Sequence, residues 1–194
     1  MSVVVLAPHT DDECLCVGGT IAKMVEAGRD VYVYAFSCGT SNTSEFKGSC
    51  RVLKATAHPF THFKTRTFPE SRQAILDCMI EIREQIKPSI VFLPASSDCH
   101  QDHRVIYEEG KRAFKHSTIY GWEAPWNSFN FSNTCYVTLS PDHMMSKVTA
   151  MQEYVSQFGR SYLREESIIS LARVRGMQAG CEYAESFEVI RQYL

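Results

Sequence analysis

The 194-residue chain lacks an excess of charge of either sign: 20 Lys and Arg stand against 22 Asp and Glu, for a formal net charge of −2. Without a basic stripe to neutralise phosphates, nucleic acid is not expected as a partner. No apolar run approaches the ~20 residues needed to cross a bilayer, so no membrane span is expected. No basic segment precedes the first apolar run, which reads against a signal peptide and for a cytoplasmic location. No Cys-x-x-Cys pair occurs, and Cys14-Leu15-Cys16 is too tight for zinc-ribbon spacing. Several of the eight cysteines (Cys14, Cys16, Cys78, Cys135) sit in apolar runs and read as reduced, buried hydrophobes. Internal repeats and low-complexity tracts are missing. So is a Gly-x-Gly-x-x-Gly fingerprint after the first apolar run, which weakens a nucleotide-binding reading and leaves Gly18-Gly19 as a weak phosphate signal.

What is present is alternation. The length suits one domain over residues 1–194, and 44% hydrophobic residues supply a sizeable core. Strands are expected at 2–7, 31–36, 89–93 and 118–122. Helices are expected at 18–28, 70–87 and 103–115, the second from the period of Ile75, Met79, Ile82 and Ile86. The Ser-, Thr-, Gly- and Asn-rich stretch 37–50 reads as a loop. Later, a strand at 134–139, helices at 141–154 and 162–175, and a strand at 186–190 are expected. Alternating strands and helices predict an α/β, Rossmann-like fold with a mostly parallel sheet flanked by helices. In such sheets ligands bind beyond the carboxyl ends of strands, where the strand order reverses.

Two clusters lie at such ends. The run Val3-Val4-Val5-Leu6 leads into His9-Thr10-Asp11-Asp12-Glu13, and Ile90-Val91-Phe92-Leu93 precedes His100-Gln101-Asp102-His103. Adjacent acids repel one another, so crowding them at a buried strand end is costly unless a cation or a reaction needs them. A catalytic zinc takes three protein ligands and leaves one position for water. His9 and Asp12, three apart on a tight turn, can aim at one ion, and His103 can supply the third ligand. Asp11 is then the candidate general base. His100 is read as an imidazolium that stabilises an oxyanion and protonates the leaving amine, kept charged by Asp102. The bland alternative is that Asp11 or Asp12 is simply a helix N-cap.

The first cluster resembles the Pro-His-Pro-Asp-Asp-Glu signature of the PIG-L/LmbE-like deacetylase family, and the second resembles its His-x-Asp-His motif. Segments 153–162 and 173–187 also look like later parts of that family. The resemblance implies a Rossmann-like fold and a zinc-dependent amidase acting on N-acetylated sugar derivatives, N-acetylglucosamine above all. It also implies His9, Asp12 and His103 as ligands, Asp11 as base and His100 as acid or oxyanion stabiliser. Thr10 departs from the family's usual proline, and a side-chain cap from threonine is the expected substitute.

Arg51 is a candidate for holding a sugar hydroxyl or phosphate. Trp122 and Trp126 are candidates for packing against a sugar ring, with Phe129 near them. Glu13 reads as a supporting charge, and Arg173, Tyr183 and Glu185 as residues that shape the pocket or tie down the C-terminal part. His58, His62, His116 and His143 match no motif and read as structural or surface. The substrate expected is a small N-acetyl sugar conjugate, the cofactor Zn2+ or another divalent transition metal, and aromatic-rich late segments are candidates for a homo-oligomer interface. The rivals are an amidase for another acyl group and a non-catalytic module that binds a sugar or nucleotide.

Overall fold

The computed structural model describes residues 1–39 and 42–193. Its strands and helices alternate from the start: β1 (Ser2–His9), α1 (Asp12–Glu26), β2 (Asp30–Ser37), α2 (Asn42–Val52), β3 (Thr56–Pro59), α3 (Arg72–Ile86), β4 (Ile90–Pro94), α4 (Gln101–Ala113) and β5 (Thr118–Trp122). The later elements are β6 (Cys135–Leu139), α5 (Pro141–Gln152), α6 (Glu165–Ala179) and β7 (Tyr183–Arg191). The seven strands form one sheet in the order β3-β2-β1-β4-β5-β7-β6. Strands β1 to β5 pair in parallel, and β7 runs antiparallel to both β5 and β6. This is the expected fold class.

Side chains alternate across a strand, and β1 is buried on both faces. Val3 and Val5 belong to a core with α1, Phe46 of α2 and Phe187 of β7, while Val4 and Leu6 belong to a second core with α3 and α4. Strand β1 lies between β2 and β4, and the chain departs from it in opposite directions. The strand order therefore reverses there, and the β1–α1 and β4–α4 loops open side by side. These are the loops that carry the two clusters.

The element boundaries differ from expectation in informative places. Helix α1 begins at Asp12 rather than 18, so the acidic run is itself the first turn. The expected loop 37–50 is largely α2, whose Phe46 and Cys50 are buried although the stretch is polar overall. Thr40 and Ser41 of that expected loop lie outside the described residues. Strand β3, four residues at the sheet edge, carries no alternation strong enough to predict it. Strand β7 spans Tyr183–Arg191 instead of 186–190 because it pairs along both sides.

Helix α1 is tied to α5 and β7 through a buried ion pair. Lys147 of α5 donates to Glu185 of β7 at 2.5 Å, and both are almost fully buried. Glu185 also accepts from the backbone N–H groups of Gly19 and Thr20, at 3.0 and 2.7 Å. Removing one partner of a buried pair strands the other charge, which typically costs about 3–5 kcal/mol. Glu185→Ala should therefore lower stability by about that much, read as a shift in the urea unfolding midpoint; an unchanged midpoint would show that the pair does not secure α1.

Candidate metal and active site

The turn between β1 and α1 separates its consecutive carboxylates by strain. Asp11 has φ 93° and ψ −31°, a left-handed conformation that is costly for a residue with a Cβ. It occupies the N-cap position of α1, yet its side chain makes no capping hydrogen bond, so Asp11 does not play the capping role of the bland alternative. Thr10 does not cap the helix either. The turn is held instead by fully buried Glu13, whose Oε2 accepts from the Asp11 N–H at 3.1 Å. The Oε1 of Glu13 accepts from Ser49 Oγ at 3.0 Å and Tyr154 Oη at 2.5 Å. Burial lifts the Glu13 pKa to about 7 despite these bonds.

Beyond the turn, three donor atoms converge. His103 Nε2 lies 3.3 Å from His9 Nδ1, and Asp12 Oδ2 lies 3.4 Å from each of them. A tetrahedral ion with ligands ~2.0–2.1 Å away has ligand–ligand edges of about 3.3–3.4 Å, so this triangle is one face of such a site. One ring nitrogen from each of His9, His100 and His103 also lies within 4.8 Å of the other two. Asp12 nevertheless closes the tighter set, and His100 Nδ1 is already engaged by the Asp102 N–H at 3.2 Å. The outer nitrogen of each converging histidine meets a carboxylate: His9 Nε2 to Asp102 Oδ2 at 2.8 Å and His103 Nδ1 to Asp98 Oδ2 at 2.7 Å. Carboxylates behind metal-binding imidazoles fix the tautomer and ring orientation. The residues present thus fit a divalent metal ion.

The electrostatics agree. Burial works against a charged His9, but Asp102 and Asp12 outweigh it and carry its pKa up to about 10. Burial works against an ionised Asp12, but His103 and His9 hold its carboxyl below the ordinary range. These carboxylates call for positive charge beside them, which a bound metal ion would supply. Asp11 is pushed well above the ordinary carboxylate range by burial and by Asp12 and Glu13. His9 and then Arg160, whose Nη1 lies 4.0 Å from Oδ2, work against that rise.

Several expected roles are corrected by position. Asp102 does not accompany the His100 ring: its carboxylate serves His9 and the backbone N–H groups of Arg66 (2.6 Å) and Phe68 (3.3 Å). His100 does not have the geometry of an imidazolium: its Nδ1 accepts from the Asp102 N–H, and burial, then His103 and His9, press its pKa downward. With Nδ1 accepting, its proton sits on Nε2, which makes it a neutral donor lining the cleft. Trp122 is fully buried beneath the site, its ring edge-on to His103 at 5.4 Å, so it cannot face a sugar. Arg51 is exposed near the end of α2 and does not line the cleft. Trp126 does line it, stacked on Tyr162 at 4.5 Å between ring centroids.

The cleft encloses about 680 Å³ and takes in His62, Lys64 and Arg66, which no motif announced, together with Arg160 and Tyr162 of the family-like segment 153–162. Asp98 had one available signal, a carboxylate two residues before His100 in the same loop. Of the remaining histidines, His143 completes a capping box with Ser140, His58 stacks on Tyr34, and His116 is exposed at the surface. A second, largely apolar cavity of about 330 Å³ adjoins the cleft, with Leu15, Trp126 and Tyr162 lining both. Arg173 lies over the Tyr183 ring, and Glu185 reaches the smaller cavity.

Comparison with known proteins places these features in context. A family model described as PIG-L, GlcNAc-PI de-N-acetylase, matches residues 4–114. The diacetylchitobiose deacetylase of Thermococcus kodakarensis is 24% identical, with 97% of this chain and 82% of that protein covered. The structure of N,N'-diacetylchitobiose deacetylase from Pyrococcus horikoshii superposes with a TM-score of 0.76 at 21% identity, covering 97% of this chain and 83% of that one. The 4-carboxy-2-hydroxymuconate hydratase GalB from Pseudomonas putida KT2440 superposes with a TM-score of 0.77 at 17% identity, covering 100% and 97%. The two structural likenesses establish the fold, which carries more than one chemistry.

The donor triangle makes a direct prediction. Loaded with zinc, the protein should hold about one ion per chain and His103→Ala little, measured by elemental analysis after gel filtration. Asp98→Ala should weaken zinc affinity by about 10–100-fold. Unchanged affinity in both variants would break the ligand assignment.

Proposed function

Because the chain belongs to the GlcNAc-PI de-N-acetylase (PIG-L) family, we propose that it is a metal-dependent N-deacetylase that removes an acetyl group from an N-acetylglucosamine-type sugar derivative. The observation that carries this reading is the Asp11 carboxylate. It stands at an N-cap, caps nothing, is held in a strained turn, and lines the cleft beside the donor triangle. The triangle of His9, Asp12 and His103 would hold the metal, with zinc the expected ion and other divalent transition metals suited to the same donors. When bound, that ion supplies an acidified water and polarises the amide carbonyl.

The chain's own residues account for the remaining work. Asp11 takes the proton from the water that attacks the amide carbonyl. A carboxyl raised above its ordinary range by burial is suited to accepting that proton and returning it to the departing amine nitrogen. His100 Nε2–H donates to the carbonyl oxygen as negative charge grows on it. Glu13 holds Asp11 through the backbone N–H, and Asp98 and Asp102 orient the two histidines. The carbonyl–nitrogen bond breaks, and acetate and a free amine leave. Trp126 and Tyr162 offer aromatic surface to the sugar.

Asp11→Asn should keep about one metal ion per chain while turnover, read as acetate release, falls by about 10²–10⁴-fold. Equal turnover in variant and parent would remove Asp11 as the base. A second reading rests on the adjoining apolar cavity, which has room for an acyl group longer than acetyl. A series of N-acylglucosamines decides between them: the deacetylase reading expects the acetyl compound to have the highest kcat/KM, and a rise with chain length would favour the second. A hydratase such as GalB would release no acetate from any of them.

A further inference from the structure

Resting on the deacetylase reading, we infer that the sugar this cleft accepts carries an oxyanion, a phosphate or a carboxylate, bound by Lys64 and Arg66. Apart from its histidines, the charged residues lining the cleft are Asp11, Asp12, Lys64, Arg66 and Arg160. Asp12 is committed to His9 and His103. Arg160 lies near Asp11 and donates to Tyr162 Oη at 2.7 Å. The side chains of Lys64 and Arg66 form no ion pair or hydrogen bond among the described residues. The cleft therefore presents two uncommitted cations and no uncommitted acid beyond the Asp11 carboxylate. A neutral N-acetyl sugar offers those cations only uncharged hydroxyl, ring and amide oxygens, whereas an oxyanion matches the planar guanidinium fork and the ammonium point charge.

Their placement is built rather than incidental. The segment between β3 and α3 that carries them is fastened to the site itself. The Arg66 N–H donates to Asp102 Oδ2 at 2.6 Å, the carboxylate that also orients His9, and the Arg66 carbonyl accepts from Gln101 Nε2. Thr65 Oγ1 meets Ser37 Oγ, at the end of β2, at 2.7 Å, and Phe63 is buried in the core. Arg66 is held at φ 70°, a conformation that an arginine adopts only at a cost. Strained residues of this kind cluster at ligand clamps, where the surroundings hold them in place. One carboxylate, Asp102, thus fixes both a metal-site histidine and the backbone of an anion-binding arginine.

The test compares acetate release from N-acetylglucosamine with release from its 1-phosphate, its 6-phosphate and N-acetylmuramic acid, at low and high salt. At least one anionic compound should exceed the neutral sugar in kcat/KM by about tenfold or more at low ionic strength, with the advantage shrinking as salt rises. The phosphate and carboxylate arms show which oxyanion is preferred. In the double variant Lys64→Gln, Arg66→Gln the ratio of anionic to neutral kcat/KM should collapse toward one. Both residues are exposed, so this variant should fold, and its thermal transition checks that it does. Equal rates on neutral and anionic sugars in the parent would overturn the inference and leave the deacetylase reading standing. Calorimetric binding of the same four compounds to zinc-loaded Asp11→Asn protein separates the two claims. If no compound releases acetate in the parent but an anionic one binds about tenfold tighter than the neutral sugar, and loses that margin without Lys64 and Arg66, the inference holds and the deacetylase reading falls. No binding preference together with no acetate release would overturn both.

Discussion

Three acids in succession at the end of a buried strand are the constraint on which the rest of this structure depends. Asp11, Asp12 and Glu13 are all buried, and like charges so close must be separated, neutralised or matched with a cation. The chain resolves each differently. Asp12 meets two histidines, Glu13 meets a serine, a tyrosine and a backbone N–H, and Asp11 turns into the cleft through a left-handed backbone. The strained turn, the pair of imidazoles and the raised pKa of Asp11 all follow from that one segment. The sheet contributes by placing β1 beside β4, so that the histidines of the second loop arrive at the acids of the first.

The carboxylates behind the site extend this logic. Asp98 and Asp102 each hold one nitrogen of a converging histidine, which leaves the other nitrogen free to face the triangle. Asp102 also collects two backbone N–H groups from the segment leading into α3. The geometry of the metal donors and the position of the cationic wall are therefore set by the same side chain. On the other side, the Lys147–Glu185 pair anchors the middle of α1, the helix whose first turn is the acidic run.

The sequence was legible where chemistry is local. His9, Asp12 and His103 could be grouped because motif spacing and strand ends pointed to one place, and the parallel sheet followed from alternating patterns. What depends on distant packing was not legible. Helix α2 is polar in composition and helical because Phe46 and Cys50 find a core. Trp122 lies at the right strand end, but its side chain points under His103 rather than into the cleft. The pairing of Asp102 with His9 rather than His100 depends on where the β1 loop sits, 93 residues away in the chain. Arg160 and Tyr162 lie in the family-like segment 153–162, but nothing in its local sequence says that these two residues reach the cleft.

The central claim is that the converging donors serve a metal-dependent hydrolysis. The most direct measurement is acetate release from an N-acetylglucosamine derivative by protein stripped with a chelator and then titrated with zinc. The account predicts that activity disappears on stripping and returns to its full value at about one ion per chain. Undiminished acetate release from the metal-free protein would contradict it.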